Sequence, residues 1–439
     1  MKFRLCFLAR LICCYPLLIA TGYSDHDPPP TLPPPTIPAG TGGLVGEVAG
    51  TAGHTVATAT GSTDALLHNA LARIGHLTGY QLDGLLTSLG PNDTFVFSPS
   101  VVKILEANSL PAPSAQRVGS FQGLTAATRD IGGRLMTLRT GAYLTGSRFA
   151  RANEFVGDVT WIDDGTWIEI IAQADAIDLN IDDFGYAKTM DLRTYVGTLA
   201  VEYHPNRYQT FGVAGSWTET DAKLGRGLGD TQVTGAVYSV YGSWYDGPVY
   251  IDGLLAYGRM SHDIARTALN DHTAFADSES EALSAQINAG ANFDCGKFVT
   301  GPIGQLEYTR SEIDPYTESG AGLFNIAVDQ QQSSTLTSDL GWQIAFPVET
   351  ACGFIAPHVK AGWKHQYLSN DDPVTATLVS FPANRLSAEP VELSQDYLVL
   401  GAGLVVKKAG CFDLLLDYEA EIAESYLLQA GTLSIRIPF

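Results

Sequence analysis

From Phe412 to Ile422 the chain alternates strictly. Phe412, Leu414, Leu416, Tyr418, Ala420 and Ile422 fall on one face, and Asp413, Asp417, Glu419 and Glu421 fall on the other. A period of two with carboxylates on one side describes a strand with one wet face, and no helix satisfies it. The pattern recurs at Val249–Tyr257, where Val249, Ile251, Gly253, Leu255 and Tyr257 oppose Tyr250, Asp252, Leu254 and Ala256. It recurs again where Ile355, Val359, Ala361 and Trp363 oppose His358 and Lys360.

Between such segments lie short turns rich in Gly, Pro, Asn and Asp, the residues that tight turns require. They fall at 204–207, 246–248, 294–297, 349–353 and 408–411. Aromatics flank nearly every one: Tyr203 and Tyr208, Tyr245 and Tyr250, Phe293 and Phe298, Phe346 and Phe354, then Phe412. The other ends of the segments are joined by long polar, acidic stretches such as 221–230, 262–279, 311–322 and 369–395. Short turns on one side and long loops on the other describe a transmembrane β-barrel, with the turn-flanking aromatics as a girdle at one membrane interface. Closure also satisfies every backbone polar group in lipid, which an open sheet cannot do. The spacing predicts twelve antiparallel strands at 166–177, 189–203, 208–221, 231–245, 249–263, 277–293, 298–312, 324–346, 354–369, 391–407, 412–424 and 427–439.

The chain's beginning indicates export. Lys2, Arg4 and Arg10 precede an apolar run from Leu11 to Ala20, and Ala20 and Gly22 are small residues two apart. That is the layout of a secretory signal peptide, 1–22, too short to span a bilayer as a helix. A Pro/Gly-rich linker, 23–60, follows, with polyproline-II character over Asp25–Gly43. The formal net charge is −21. Nucleic acid is therefore not an expected partner, because phosphate contacts need a basic footprint.

The last strand ends Leu433, Ile435, Ile437, Phe439, which resembles the C-terminal signature of outer-membrane barrels. Glu318–Gly322 with Val328 and Ser334–Gly341, Pro357–Tyr367, Tyr250–Arg259 and Tyr397–Gly403 look like the autotransporter β-domain family, well over 155–439 and loosely over 60–154. Two departures are Ile437, where an aromatic is common, and Pro438. The resemblance implies localisation in the outer membrane, with bilayer lipid around the wall and the barrel-assembly machinery reading the C-terminal residues. It also implies a helix N-terminal to the barrel that threads the lumen and leads to an exported passenger. The charge pattern agrees independently. Residues 110–152 hold Arg117, Arg129, Arg134, Arg139, Arg148 and Arg151 against Asp130, whereas 39 acids face 15 bases from 153 onward. A basic segment is attracted into an acidic barrel. Arg129, Arg134 and Arg139 are the expected lumen-helix cations, on a helix over Phe121–Leu138 weakened by Gly132 and Gly133. A solvated helix with scattered arginines is the alternative. Twelve strands leave a lumen with room for about one helix.

The expected order is therefore signal peptide (1–22), linker (23–60), short passenger remnant with helical spacing over Ala65–Leu89 (61–118), lumen-helix linker (119–152) and barrel (153–439). GxSxG, HExxH and Gly-rich phosphate loops are not found, so no enzymatic passenger, catalytic residue, metal or cofactor is expected. The histidines are dispersed, with His358 and His365 on opposite faces of one strand. Cys295, Cys352 and Cys411 all fall in short turns, separated by two strands or ~10 Å, beyond the ~7 Å reach of a disulfide. Intermolecular disulfides to envelope proteins are one expectation for them, and free thiols are the other. The function expected is a monomeric translocator that exports or displays a short N-terminal segment. A stand-alone adhesin or antigen, or a porin-like barrel, is the alternative.

Overall fold

The computed structural model describes residues 72–77, 79, 86–90, 94–147, 167–206, 208–350, 353–391, 394–408 and 412–437. The expected signal peptide, the 23–60 linker, Cys352, Cys411 and Phe439 lie outside these residues, as do the side chains of Arg139, Phe412 and Ile437.

Twelve antiparallel strands form the wall: β1 (Trp167–Phe184), β2 (Lys188–Asn206), β3 (Gln209–Leu224), β4 (Gly229–Asp246), β5 (Val249–Thr267), β6 (Thr273–Ala291), β7 (Val299–Ile313), β8 (Gln331–Ala345), β9 (Gly353–Asp371), β10 (Asp396–Lys408), β11 (Phe412–Ala423) and β12 (Tyr426–Ile437). Each pairs with the next, and β12 pairs back onto β1 from Tyr426↔Ile181 to Ile437↔Ile170, so the wall is closed.

Alternation sorts the side chains as the sequence requires. On β2, Leu199 and Tyr195 point outward at 66% and 49% exposure, while Glu202, Thr198 and Thr194 point inward and are buried. Apolar outside and polar inside inverts the arrangement of a water-soluble fold. It is stable only where hydrocarbon meets the outer face. Among the described residues no helix is long and apolar enough to cross a membrane. The strands, 12 to 19 residues long, exceed the ~9–11 residues that a tilted span needs.

The excess length lies mainly toward the loops, where β1 ends at Phe184 rather than 177 and β6 begins at Thr273 rather than 277. The expected strand over 324–346 is two elements. Ile326–Val328 leaves the wall and joins Tyr316–Thr317, Val374–Leu378 and Phe381–Ala388 in a four-stranded loop sheet. Loops 311–322 and 369–395 thus carry strands of their own.

Among the described residues, two long helices lead into the wall, α1 (Pro99–Ser109) and α2 (Pro111–Ser147). The second is much longer than the 121–138 expected from propensity. Pro111 and Pro113 are tolerated in a first helical turn, and contact with the wall outweighs the cost of the glycines. A Cβ on Gly119 would lie 3.0 Å from Val233, and one on Gly123 would lie 3.3 Å from Met260 and Thr218. These glycines let the helix backbone press against β3, β4 and β5. Upstream, residues 72–77 are helical, and Leu86–Gly90 forms an antiparallel pair with Thr94–Phe97. Helical spacing over Ala65–Leu89 therefore does not persist to its end.

The interface aromatics divide by strand parity. Tyr203, Tyr208, Phe293 and Phe346 are exposed, Tyr245 is half-buried with its ring 6.3 Å from Tyr208, and Phe298 and Phe346 lie 6.1 Å apart. Tyr250 and Phe354 are corrections. Val249 and Ile355 take the outward positions, so their neighbours turn inward. Tyr250 lies against Gly290, and Phe354 packs with Val299, Ala356, Val405 and Leu415.

Candidate functional site

The lumen concentrates buried charge, and α2 brings Arg129 and Arg134 to it. Near the short turns, the inward positions of β1 and β2 supply Glu169, Glu202 and His204, all buried. Arg134 donates from Nε to Glu202 Oε1 at 3.0 Å, and from Nη2 to Glu202 Oε2 at 2.6 Å and Glu169 Oε2 at 3.0 Å. Tyr241 on β4 donates its hydroxyl to Glu202 Oε1 at 2.9 Å. Glu202, Gly212 and Tyr241 lie in one cross-strand row. A Cβ at Gly212 would fall 2.2 Å from the Tyr241 ring, so glycine clears the path by which tyrosine reaches across β3. Arg436 on β12 bonds Glu169 at 2.5 Å and also pairs with Asp413 on β11.

One helical turn outward, Arg129 bonds Glu421 at 2.7 Å and Glu419 at 3.2 Å. Both acids belong to the alternating segment that opened the sequence argument, and each has a second cation. Lys364 bonds Glu421 at 2.9 Å, and Lys360 pairs with Glu419. Asp130, the next residue, accepts from Thr198 at 2.5 Å and accepts at its backbone carbonyl from Gln173 at 2.9 Å. Thr128 reaches Glu307, which also accepts from Ser284. Ser120, His262 and Ser280 form a buried triangle with edges of 3.2, 2.8 and 3.2 Å. Arg117 donates to the Asp372 carbonyl at 2.8 Å. Beside the helix a cavity of about 170 Å³ remains, lined by Phe121, Gln122, Arg129, Glu307, Lys364 and Tyr397 among others.

What this arrangement can do is hold a helix. Buried ion pairs add little net stability over apolar packing, but removing one partner leaves a stranded charge and is strongly destabilising. They therefore fix position and register. Glu169, Glu202 and His204 bring three ligand atoms within 4.8 Å of one another, a spacing compatible with a metal ion. The Arg134 guanidinium already bonds both carboxylates of that group. His358 faces the lumen 3.1 Å from Asp417, whereas His365 sits on the outer face 2.8 Å from Asp396.

Of the residues singled out from sequence, Arg129 and Arg134 meet the wall acids in the lumen, and Leu433 and Ile435 lie outward on β12. Cys295 is an exposed free thiol in the turn between Phe293 and Phe298. Glu169, Glu202, Tyr241 and Arg436 were not singled out. Strand parity could have found Glu202, which lies opposite the face shared by Leu199, Val201 and Tyr203.

Comparison with known proteins gives a consistent picture. A family model described as the autotransporter beta-domain matches residues 167–419. Outer membrane protein B of Rickettsia japonica is 24% identical over 275 residues, which make up 58% of this chain but 16% of that protein. The chain thus spans well under two thirds of that relative. Among solved structures, the translocator domain of the autotransporter NalP from Neisseria meningitidis superposes with a TM-score of 0.54 at 16% identity, covering 76% of this chain and all of that domain (100%). The β domain of the Bordetella autotransporter BrkA gives 0.49 at 14% identity, covering 62% of this chain and 99% of that domain. At 16% identity the likeness to the NalP domain is one of fold.

Proposed function

Because the chain belongs to the autotransporter β-domain family, whose barrels are outer-membrane proteins, we propose that it is a translocator that carries its N-terminal segment through its own lumen and holds it at the cell surface. The observation that carries this reading is the seating of α2. Arg134 meets Glu169 and Glu202 toward the short turns, and Asn108, just before α2, donates to the Thr267 carbonyl at the loop end of β5. The chain thus runs the length of the lumen with its N-terminal side toward the loops. That polarity suits a segment delivered outward, with the loops at the cell surface and the short turns in the periplasm.

The reading includes an N-terminal signal peptide, bilayer lipid around the wall, recognition of Leu433, Ile435, Ile437 and Phe439 by the assembly machinery, and action as a monomer. Cys295 then faces the periplasm, and disulfides from Cys295, Cys352 and Cys411 to envelope proteins belong to the same reading. The lumen contacts serve positioning, with no covalent chemistry assigned to them.

Single-channel conductance of the mature protein in a planar bilayer, with and without residues 110–152, tests the proposal. Low conductance that rises sharply on deletion supports a plugged translocator. A wide, steady pore in both forms favours a porin-like barrel instead.

A further inference from the structure

The loop end of the barrel is roofed by the chain's own residues. Phe97 is buried, its ring 5.2 Å from that of Phe381 at 63°, and its backbone N–H donates to Asn384 Oδ1 at 2.7 Å. Glu106 Oε1 accepts the N–H of Ser387 at 3.0 Å. Val101, Leu105 and Leu110 are fully buried and share one apolar cluster with Phe324, Leu378 and Leu386 of the loops. Segment and loops thus make a joint core, which a segment merely in transit would not.

Beneath α1 lies a second, independent feature. Arg266, at the loop end of β5, and Glu318 both have side chains at 0% exposure. Arg266 donates from Nε to Glu318 Oε1 at 2.7 Å, and from Nη2 to Glu318 Oε2 at 2.6 Å and the Phe324 carbonyl at 2.8 Å. Its Nη1 donates to Asn108 Oδ1, in α1, at 3.3 Å. Glu318 Oε2 also accepts the Ile326 N–H at 3.0 Å. An ion pair at the rim of an aqueous mouth would keep its water. Here protein takes water's place, and α1 supplies one of the partners. Such burial is tolerable only when the remaining donors and acceptors are met, which requires the roof to be in place.

We propose that residues 94–110 are a resident lid, and that the loop sheet is a docking surface whose occupant is this segment of the same chain. The lid fixes the outer end of α2 and shuts the mouth above it. What the barrel then presents is the chain upstream of the lid. This deepens the translocator reading by separating cargo from closure, but its test does not depend on membrane orientation.

In the full chain, with native cysteines replaced by serine, single cysteines are introduced as Val101→Cys, which is buried, and Ser100→Cys, which is exposed. The purified, folded proteins in detergent, their folding checked by heat-modifiable migration, are reacted with a bulky maleimide. Modification at position 101 should be slower than at 100 by about tenfold or more, as expected of a site that reacts only on local opening. Adding Phe97→Ala and Asn108→Ala should bring the two rates together while leaving that at 100 unchanged. Leu105→Cys offers a second buried position should Val101→Cys fail to fold. Equal rates at buried and exposed positions in the otherwise unaltered chain would overturn the lid. So would protection at 101 that ignores the loss of Phe97 and Asn108. Failure of the translocator reading would appear instead in the conductance of the helix deletion, leaving these rates intact.

Discussion

Arg134 and Glu202 are joined by two hydrogen bonds, 3.0 and 2.6 Å long, with side-chain exposures of only 2% and 0%. A fork-to-carboxylate contact of this kind fixes both distance and angle, so it sets the register of α2 against the wall.

Glu202→Ala should therefore destabilise the folded barrel by about 3–5 kcal/mol, the cost of stranding a buried charge. Arg134→Ala with Glu202→Ala should cost less than the two single changes summed. Thermal unfolding followed by circular dichroism measures all three. Strict additivity would mean that the pair is not coupled.

Tyr241→Phe removes only the hydroxyl that donates to Glu202. A hydrogen bond to a charged group contributes about 1.5–3 kcal/mol, so the loss should fall in that range. Gly212→Val should do more damage than Tyr241→Phe, because it displaces the ring as well as the bond. A neutral Gly212→Val would contradict the close approach of Tyr241 to that backbone.

The glycines of α2 should respond in opposite directions. Gly123→Leu meets Met260 and Thr218 and should cost about 1–3 kcal/mol through overpacking, with faster tryptic cleavage at Arg129 and Arg134. Gly132 has nothing within 4 Å of an added Cβ. Gly132→Ala should therefore stabilise by about 0.5–1 kcal/mol, since alanine is the better helix former. Melting temperatures of the two variants decide the matter.

Glu318→Ala should loosen the loop sheet while sparing the wall. Limited proteolysis should then cut within 311–330 at enzyme concentrations that leave the unaltered protein whole, and heat-modifiable migration should persist. Loss of that migration would place Glu318 in the stability of the whole barrel.

With Cys352 and Cys411 changed to serine, Cys295 reports orientation. An impermeant maleimide should leave intact cells unlabelled at this position and label it once the outer membrane is opened. Labelling of intact cells would reverse the assignment of turns and loops.

The wall was legible because its signal is local. Alternation over Phe412–Ile422 states which side chains face lipid and which face the lumen, and two of the acids it placed inside, Glu419 and Glu421, bind Arg129. Adjacency to a turn was a poorer guide than parity: Tyr208 and Tyr250 each follow a turn closely, yet Tyr250 points inward. The extent of α2 was hidden because Pro111, Gly119, Gly123 and Gly132 weigh against a helix until the barrel surrounds it. The lid and loop sheet left no local trace. Ile326 pairs with Leu378, and Phe97 meets Phe381, across distances in sequence that no short window spans.

Glu169 lies on the first strand of the wall and is shared between Arg134 of the helix and Arg436 of the last strand. The seam of the cylinder and the seat of the helix thus meet at one carboxylate, and closure of the last strand onto the first completes its set of cationic partners.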